Sequence, residues 1–477
     1  MKNIYRKTKI IATIGPAVDT LELIKELMLK GMNCARINFS HGNKITNGEV
    51  IDRVKAAREE LKLPIPILMD TRGPEIRIGR FVTGSAILVK GQLFTLDADC
   101  PIDGSNNQVS FVSYSNLYNE IKKGTTILLD DGKIELKVVD IEGKKIITKV
   151  IVGGKLSNSK SVNIPSVNIK MPYLSELDKE EIKYAIEKGV DFIAASFTRK
   201  ESDIIQLREY VNAVGGEKVQ IVCKIENKEG VKNIDSIIKH ADGIMVARGD
   251  LGVEISYKEI PKIQKEIIEK CVSQGKFVIT ATQMLESMIN SARPTRAEVS
   301  DVANAIYDGT SAIMLSGETA VGQYPIKAVE TMSEIALSAE NSKYCKKINR
   351  ESINVKKDIK DTICFAASIA AEYIQAKAIA VVTLSGSTPV YFASFRPNCP
   401  VIALTVDEKA RRQLNLRYGI LPVKKTMQDS LEELSQSAIK AAKTTGIAKA
   451  GDTIITVIGS QLLIGHPSDT IRILTLD

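Results

Sequence analysis

The chain has 477 residues, 44% of them hydrophobic and 26% charged, which is the composition of an ordinary globular protein long enough for about two to four domains. Lys and Arg outnumber Asp and Glu by 65 to 57, a net charge of +8, but the basic residues are dispersed and no DNA or RNA motif accompanies them, so small anionic ligands are favoured over nucleic acid. Seven widely spaced cysteines without a CxxC pair, no apolar leader in MKNIYRKTKIIATIG and no long apolar run set aside a disulfide scaffold and a membrane span and predict free thiols in the cytoplasm.

Short apolar runs then alternate with helical patterns, the rhythm of βα units around a parallel sheet. The first strand is TKIIATIG (Thr8 to Gly15), followed by a helix with Leu21, Ile24 and Met28 on one face. The second is CARINFS (Cys34 to Ser40), followed by a helix carrying Val50, Val54, Ala57 and Leu61. PILMDT (Pro66 to Thr71) is the third. From Arg72 to Asn168 helical periodicity gives way to β runs with turn signals at Asp131-Gly132 and Glu142-Gly143, which predicts a small all-β domain inserted after the third strand. A capping box at Ser175 to Asp178 restarts the rhythm. Five strands follow: DFIAAS (Asp191 to Ser196), VQIVCKIE (Val219 to Glu226), GIMVARGD (Gly243 to Asp250), FVITATQ (Phe277 to Gln283) and AIMLSGE (Ala312 to Glu318). Three and five make eight, and a (β/α)8 barrel is expected. A polar, mostly basic stretch, 341–360, reads as a linker into a compact α/β domain. That domain has a helix through Ile363, Ala367, Ala370 and Ile374 and strands at Ala378 to Thr383, Pro400 to Thr405, Ile420 to Val423 and Thr453 to Ile458. The expected domains are 1–71 with 169–343 (barrel), 72–168 (inserted small β-barrel domain) and 344–477 (C-terminal α/β domain).

Barrel active sites occupy the C-terminal strand ends, and here those ends are polar at period 2, the spacing that shares a face. Strand 2 offers Arg36, Asn38 and Ser40; strand 3, Asp70 and Thr71; strand 5, Lys224 and Glu226. Strand 6 offers Arg248 and Asp250; strand 7, Thr280 and Thr282; strand 8, Ser316 and Glu318. With three histidines in the chain, a histidine-based zinc site is excluded and any metal must rely on oxygen. Glu226 and Asp250 suit Mg2+ or Mn2+, leaving positions for substrate oxygens. Arg36, Lys224 and Arg77 are donors for a phosphoryl group. Asn38, Ser40, Asp70 and Thr71 form a weaker oxygen cluster of one charge, better matched to a monovalent cation. The Gly249 amide can meet a carboxylate, whereas Thr280 reads as a residue satisfied by a local hydrogen bond.

These residues lie in motifs that resemble pyruvate kinase: ATIGPA (Ala12 to Ala17), ARINFSHG (Ala35 to Gly42), DTRGPEIR (Asp70 to Arg77), LDDGKI (Leu129 to Ile134), VCKIENKEG, MVARGDLGVE (Met245 to Glu254), ITATQMLESM (Ile279 to Met288), RPTRAEVSDVANAIYDG (Arg293 to Gly309) and MLSGETA (Met314 to Ala320). The resemblance implies phosphoryl transfer from phosphoenolpyruvate to ADP, with Mg2+ (or Mn2+) on Glu226 and Asp250 and K+ on Asn38, Ser40, Asp70 and Thr71. It implies Lys224 and Arg36 at the transferring phosphoryl group, and Gly249, Asp250, Thr282 and Arg77 at phosphoenolpyruvate. Thr282 and Glu318 fall in the region that delivers a proton to the enolate, and Thr13, Pro16, Asn38, His41 and Arg77 fall where the nucleotide binds. The inserted domain becomes a lid. Glu75 accompanies K+ dependence in such enzymes. Two departures are Arg72, where Lys is usual, and Ser161, where Gly is common. The loop Thr383, Ser385, Gly386, Ser387, Thr388 matches a site for a sugar-phosphate or nucleotide effector, although the loop after Gly459 lacks an arginine that some members use there. A homotetramer is implied as well. The alternatives are another phosphoenolpyruvate or pyruvate barrel, such as a metal-dependent aldolase or mutase, and an inactive metabolite sensor. The first leaves the inserted domain and Lys224 without a purpose; the second predicts lost strand-end residues.

Overall fold

Eight parallel strands close on themselves: β1 (Lys9–Thr13), β2 (Cys34–Asn38), β3 (Ile67–Asp70), β4 (Phe192–Ala195), β5 (Gln220–Ile225), β6 (Gly243–Ala247), β7 (Phe277–Ala281) and β8 (Ala312–Leu315), with β1 pairing both β2 and β8. This computed structural model describes residues 5–165, 167–345, 358–425, 430–459 and 468–477. The expected (β/α)8 barrel is present. Its strands are buried on both faces, as apolar runs without polar alternation require. Ile10, Ile193 and Ile221 pack outward with helix residues such as Ile24, Val54 and Leu207, while Ile11, Leu68, Phe192, Val222, Met245 and Ile279 fill the interior. The Ser175–Asp178 capping box forms as expected and starts the helix Glu176–Glu187.

Several strands stop earlier than their letters suggest. β6 ends at Ala247 and Arg248–Glu254 is helical; β7 ends at Ala281 and β8 at Leu315. The polar sets at 248–250, 282 and 316–318 therefore sit on short helices and turns beyond the strands, not on strand faces.

The insertion after β3 is a curled six-stranded sheet, with Ile134–Glu142 and Lys145–Val152 central, plus the pair Ser85–Leu88 and Gly154–Ser157. Its apolar core, running from Ile76 to Ile164, is its own. Both expected turns occur, with positive φ at Asp130, Asp131 and Gly132 and at Gly143. A short helix, Leu117–Glu120, interrupts a segment expected to be all β.

The C-terminal domain holds a five-stranded sheet. The four expected strands run parallel, and a fifth, Thr470–Thr475, pairs antiparallel with Thr453–Ile458 at the edge. The fifth strand escaped the sequence reading because an edge strand is only partly covered and shows no clean apolar face. Residues 346–357 of the basic linker and 460–467 of the loop after Gly459 lie outside the described residues.

This domain docks on the floor of the barrel. Leu416 is fully buried within the barrel's interior cluster, and the Arg417 guanidinium lies 4.1 Å from the Phe277 ring centroid. Arg412 Nε donates to the buried Asp191 at 2.9 Å. Lys9 Nζ donates to the Ile420 carbonyl at 2.7 Å across the same seam. Burial, with Arg6 adding repulsion and Glu340 opposing it, lowers the Lys9 pKa to about 7. A lysine lowered in the fold binds fewer protons there than when unfolded, so stability rises with pH between about 7 and the ordinary lysine value. Thermal or urea unfolding at pH 7 and pH 9 is expected to show a gain of about 2 kcal/mol in the wild type that is missing in Lys9→Met. An equal gain in both proteins would contradict it.

Among the described residues no helix is long and apolar enough to cross a membrane. All seven cysteines are free. Cys34 and Cys223 are buried, and burial raises both thiols, that of Cys223 to about 12.

Candidate active site

The register of the barrel brings the polar strand ends together. Asn38 lies opposite Asp70 across β2 and β3, and Asp70 opposite Ala194 across β3 and β4. Asp70 is the hub. Its Oδ2 accepts from Arg36 Nε at 2.7 Å, and its Oδ1 accepts from Lys224 Nζ at 3.0 Å and from Ser196 Oγ at 3.0 Å. Arg36 Nη1 also donates to Thr13 Oγ1 at 2.9 Å, which ties β1 to β2. Lys224 Nζ reaches Ser196 Oγ at 2.9 Å and Glu226 Oε1 at 2.9 Å. The other Glu226 oxygen accepts from the Phe197 N–H at 2.5 Å, delivered by a left-handed turn at Phe197 (φ 52°).

The electrostatics follow from this packing. Burial alone would lower the Lys224 ammonium, but Asp70 and Glu226 outweigh it and hold the group above the ordinary lysine value. Burial would raise the Asp70 carboxyl, but Lys224 and Arg36 keep it below the usual range. Glu226 goes the other way. Burial, reinforced by Asp250 and Asp70, raises it to about 8 in spite of Lys224. Lys224 answers to more than one anion, whereas Glu226 has one close cation and two anions. The cluster as a whole holds three carboxylates against two cations, which leaves room for a further positive charge.

Glu226 Oε1 is fully buried, and its close partner is the Lys224 ammonium at 2.9 Å, an ion pair without hydrogen-bond geometry, so the oxygen keeps lone-pair capacity for a second cation. Among the described residues no group of three or more His, Cys, Asp and Glu side chains is arranged to hold a metal by itself, so a divalent ion on Glu226 and Asp250 would need further oxygens from substrate and water. That donor set fits Mg2+ or Mn2+.

On the far side, Gly249 N–H donates to Thr282 Oγ1 at 2.7 Å. Thr282 has φ 69° and Gln283 φ 55°, a conformation that non-glycine residues seldom adopt. Glu318 is fully buried, and its two oxygens accept from Leu285 N at 3.0 Å and Ser316 N at 2.8 Å. These bonds fasten the ends of β7 and β8 to each other. Thr280 is satisfied, as expected, but by the Thr310 hydroxyl at 2.9 Å, a partner thirty residues away and not a local backbone group.

The inserted domain contributes Arg77, whose Nε donates to Glu75 at 2.9 Å and whose Nη1 donates to the Ser159 carbonyl at 2.7 Å. Partial desolvation, and then the charges of Arg77, Arg36 and Arg72, lower the His41 imidazole below its ordinary value. Pro16 opens an exposed 3-10 turn beyond Gly15. A Cβ at Gly15 would meet the Ala320 carbonyl oxygen at 2.7 Å, a distance that requires glycine. Asn38 Oδ1 accepts from Ser40 N at 3.0 Å, and the Thr71 carbonyl accepts from Ser196 Oγ at 2.6 Å.

Both departures have structural partners. Arg72 clasps the buried Glu181 with Nε at 3.0 Å and Nη2 at 2.9 Å, a forked contact that lysine cannot make. Ser161 Oγ donates to Asp131 Oδ1 at 2.8 Å and so pins the left-handed turn Asp130–Asp131.

The sequence reading missed Ser196 and Phe197. A single serine at the end of FIAAS shows no period, and a backbone N–H has no letter of its own; only the wish for a fourth partner between Asp70 and Lys224 could have pointed there. A cavity of about 510 Å3 opens beside the lid hinge and touches this cluster only through Glu75 and Phe197. In the C-terminal loop, Thr383 Oγ1 accepts from Gly386 N at 3.0 Å and Thr388 Oγ1 lies 3.0 Å from Ser468 Oγ, so both threonines are buried and satisfied. Ser385 and Ser387 remain toward the surface, with Lys360 Nζ 3.2 Å from Ser387 Oγ.

Residues 5–329 match the family described as "Pyruvate kinase, barrel domain", and residues 361–474 match "Pyruvate kinase, alpha/beta domain". A pyruvate kinase of Clostridium perfringens is 46% identical over 471 residues, covering 98% of this chain and 99% of the relative. That of Bacillus licheniformis is 45% identical over 458 residues, 95% of this chain and 78% of the relative.

Proposed function

We infer the chemistry of this cluster from one premise: the chain belongs to the pyruvate kinase family. It is a phosphotransferase, and its substrates are phosphoenolpyruvate and ADP, its products pyruvate and ATP. The single observation that carries the assignment of roles is the array Arg36–Asp70–Lys224–Glu226, in which two buried cations and two buried carboxylates meet at adjacent strand ends.

Glu226 and Asp250 hold Mg2+ or Mn2+, supported by the excess of carboxylates over cations around them and by the lone-pair capacity left on Glu226 Oε1 beside Lys224. Such an ion, when bound, draws charge from phosphoryl and enolate oxygens as a Lewis acid. Lys224 stands beside it with its charge secured by Asp70 and neutralises negative charge that develops as the phosphoryl group leaves the enolate oxygen. Arg36, fixed by Asp70 and Thr13, and Arg77 from the lid offer planar donors to phosphate. The Gly249 amide and Thr282 hydroxyl take the substrate carboxylate. Thr282 lies where the enolate gains its proton, and Glu318 acts from behind by holding the β7 and β8 ends. Thr13, Pro16, Asn38 and His41, with Arg77, receive the nucleotide.

Asn38, Ser40, Asp70 and Thr71 hold K+, supported by the Asn38–Asp70 register. The limits of the domains are 1–71 with 169–343, 72–168 and 344–477; the separate apolar cores support them. The segment 72–168 closes over the site and excludes water. The loop at Ser385 and Ser387 takes a sugar-phosphate or nucleotide effector, and the enzyme works as a cytoplasmic homotetramer.

Mixing phosphoenolpyruvate, ADP, Mg2+ and K+ is expected to yield pyruvate. Replacing K+ by tetramethylammonium is expected to lower turnover by about 10²-fold, the scale of one lost electrostatic contact. Undiminished activity would remove the monovalent site.

A further inference from the structure

We propose that Arg248 is a positioning residue for Thr282, and through Thr282 for the carboxylate end of the substrate; the proposal rests on the roles given above to Thr282 and Gly249. The starting point is a backbone conformation that needs an external cause. Thr282 and Gln283 are consecutive non-glycine residues with positive φ, 69° and 55°, and the first is β-branched. Such a conformation is strained and persists only where its surroundings over-determine it.

Arg248 supplies that cause. Its Nη2 and Nε donate to the Thr282 carbonyl at 2.8 and 3.3 Å, and Nη2 lies 3.4 Å from the Gln283 carbonyl. The guanidinium is held from the other side by Asp301, whose Oδ1 and Oδ2 lie 2.8 Å from Nη1 and Nη2, and Nη1 also donates to Gln264 Oε1 at 3.3 Å. These anchors stand on two helices, Arg296–Asp308 and Ile260–Ser273. A side chain so engaged has no free fork for phosphate, which separates Arg248 from Arg36 and Arg77.

The covalent path closes a ring. Arg248 leads directly into Gly249, whose N–H donates to Thr282 Oγ1 at 2.7 Å. One residue therefore fixes both sides of the Gly249–Thr282 contact, by its backbone on one side and its guanidinium on the other. Lysine, with a single ammonium, cannot reproduce the forked contact to Asp301, the bond to Gln264 and the paired Nε and Nη2 bonds to the Thr282 carbonyl together.

Arg248→Lys is expected to raise the KM for phosphoenolpyruvate about tenfold and to lower kcat about tenfold, since small misplacements of reacting groups carry losses of that order. The KM for ADP should stay within about twofold, because the nucleotide residues lie elsewhere. Asp301→Ala, which leaves the arginine but frees its far end, should move the same phosphoenolpyruvate KM in the same direction by a smaller factor. In the Thr282→Ala background Arg248→Lys should add little, the non-additivity expected of residues acting through one another. Unchanged phosphoenolpyruvate parameters in both variants, equal rises in both KM values with a lowered Tm, or full additivity with Thr282→Ala would each overturn the proposal. A wild type without turnover would overturn the assigned activity and this proposal with it; an active wild type with an unaltered Arg248→Lys overturns the proposal alone.

Discussion

Lys224→Met is expected to lower turnover by about 10³-fold or more while binding Mn2+ more tightly than the wild type, because the group removed stabilises the transition state and repels a metal ion at Glu226. The geometry requires both effects. Lys224 Nζ lies 2.9 Å from Glu226 Oε1 and 3.0 Å from Asp70 Oδ1, so the methionine leaves Asp70 with Arg36 and Glu226 with no cation beside it. Truncating one member of a buried ion pair costs about 3–5 kcal/mol. The sign agrees with the raised ammonium: a lysine whose charged form is favoured in the fold contributes stability throughout the range below its ordinary value. The variant should therefore melt earlier without metal and recover part of the loss in Mg2+, which replaces the missing charge. Steady-state kinetics, Mn2+ titration and melting curves check the three parts. Turnover within tenfold of wild type, or weaker Mn2+ binding, would sink the role given to this lysine.

Glu226→Gln is expected to produce a similar loss of turnover, about 10³-fold, by the opposite route. A glutamine can offer its carbonyl oxygen to the Phe197 N–H, but its amide then turns two donors toward Lys224 and the metal. Mn2+ should bind at least about tenfold more weakly, since even groups behind the ligands carry effects of that size. The pair of variants thus has one readout in common and one of opposite sign. If both weakened Mn2+ equally, metal binding and charge neutralisation would not be divided between Lys224 and Glu226.

The parts of the site visible in the sequence are those whose side chains repeat every second residue on a strand. Arg36 and Asn38, Asp70, and Lys224 with Glu226 were legible because the pleat alone aims them together. The turns were not. GIMVARGD reads as one continuous strand, yet the chain leaves the strand at Ala247, and Arg248 turns to Asp301 while Asp250 stays with Glu226. Glu318 looked like a group in the cleft because nothing in its own segment announces that Leu285, thirty-three residues earlier, needs an acceptor. Arg72 looked like a loose departure until Glu181, on a helix beyond the lid, supplied its fork. In each case the missing information is a contact between distant segments, which periodicity does not encode.

Leu416 gives the barrel a floor made of another domain's residue. The catalytic unit is thus not a separable cassette: a chain cut in the linker would leave Phe277 and Met245 facing water at the bottom of the barrel, and Asp191 without Arg412. Chimaeras between relatives should keep residues 411–420 with the barrel they came from, since that short stretch belongs to one domain by connectivity and to the other by packing.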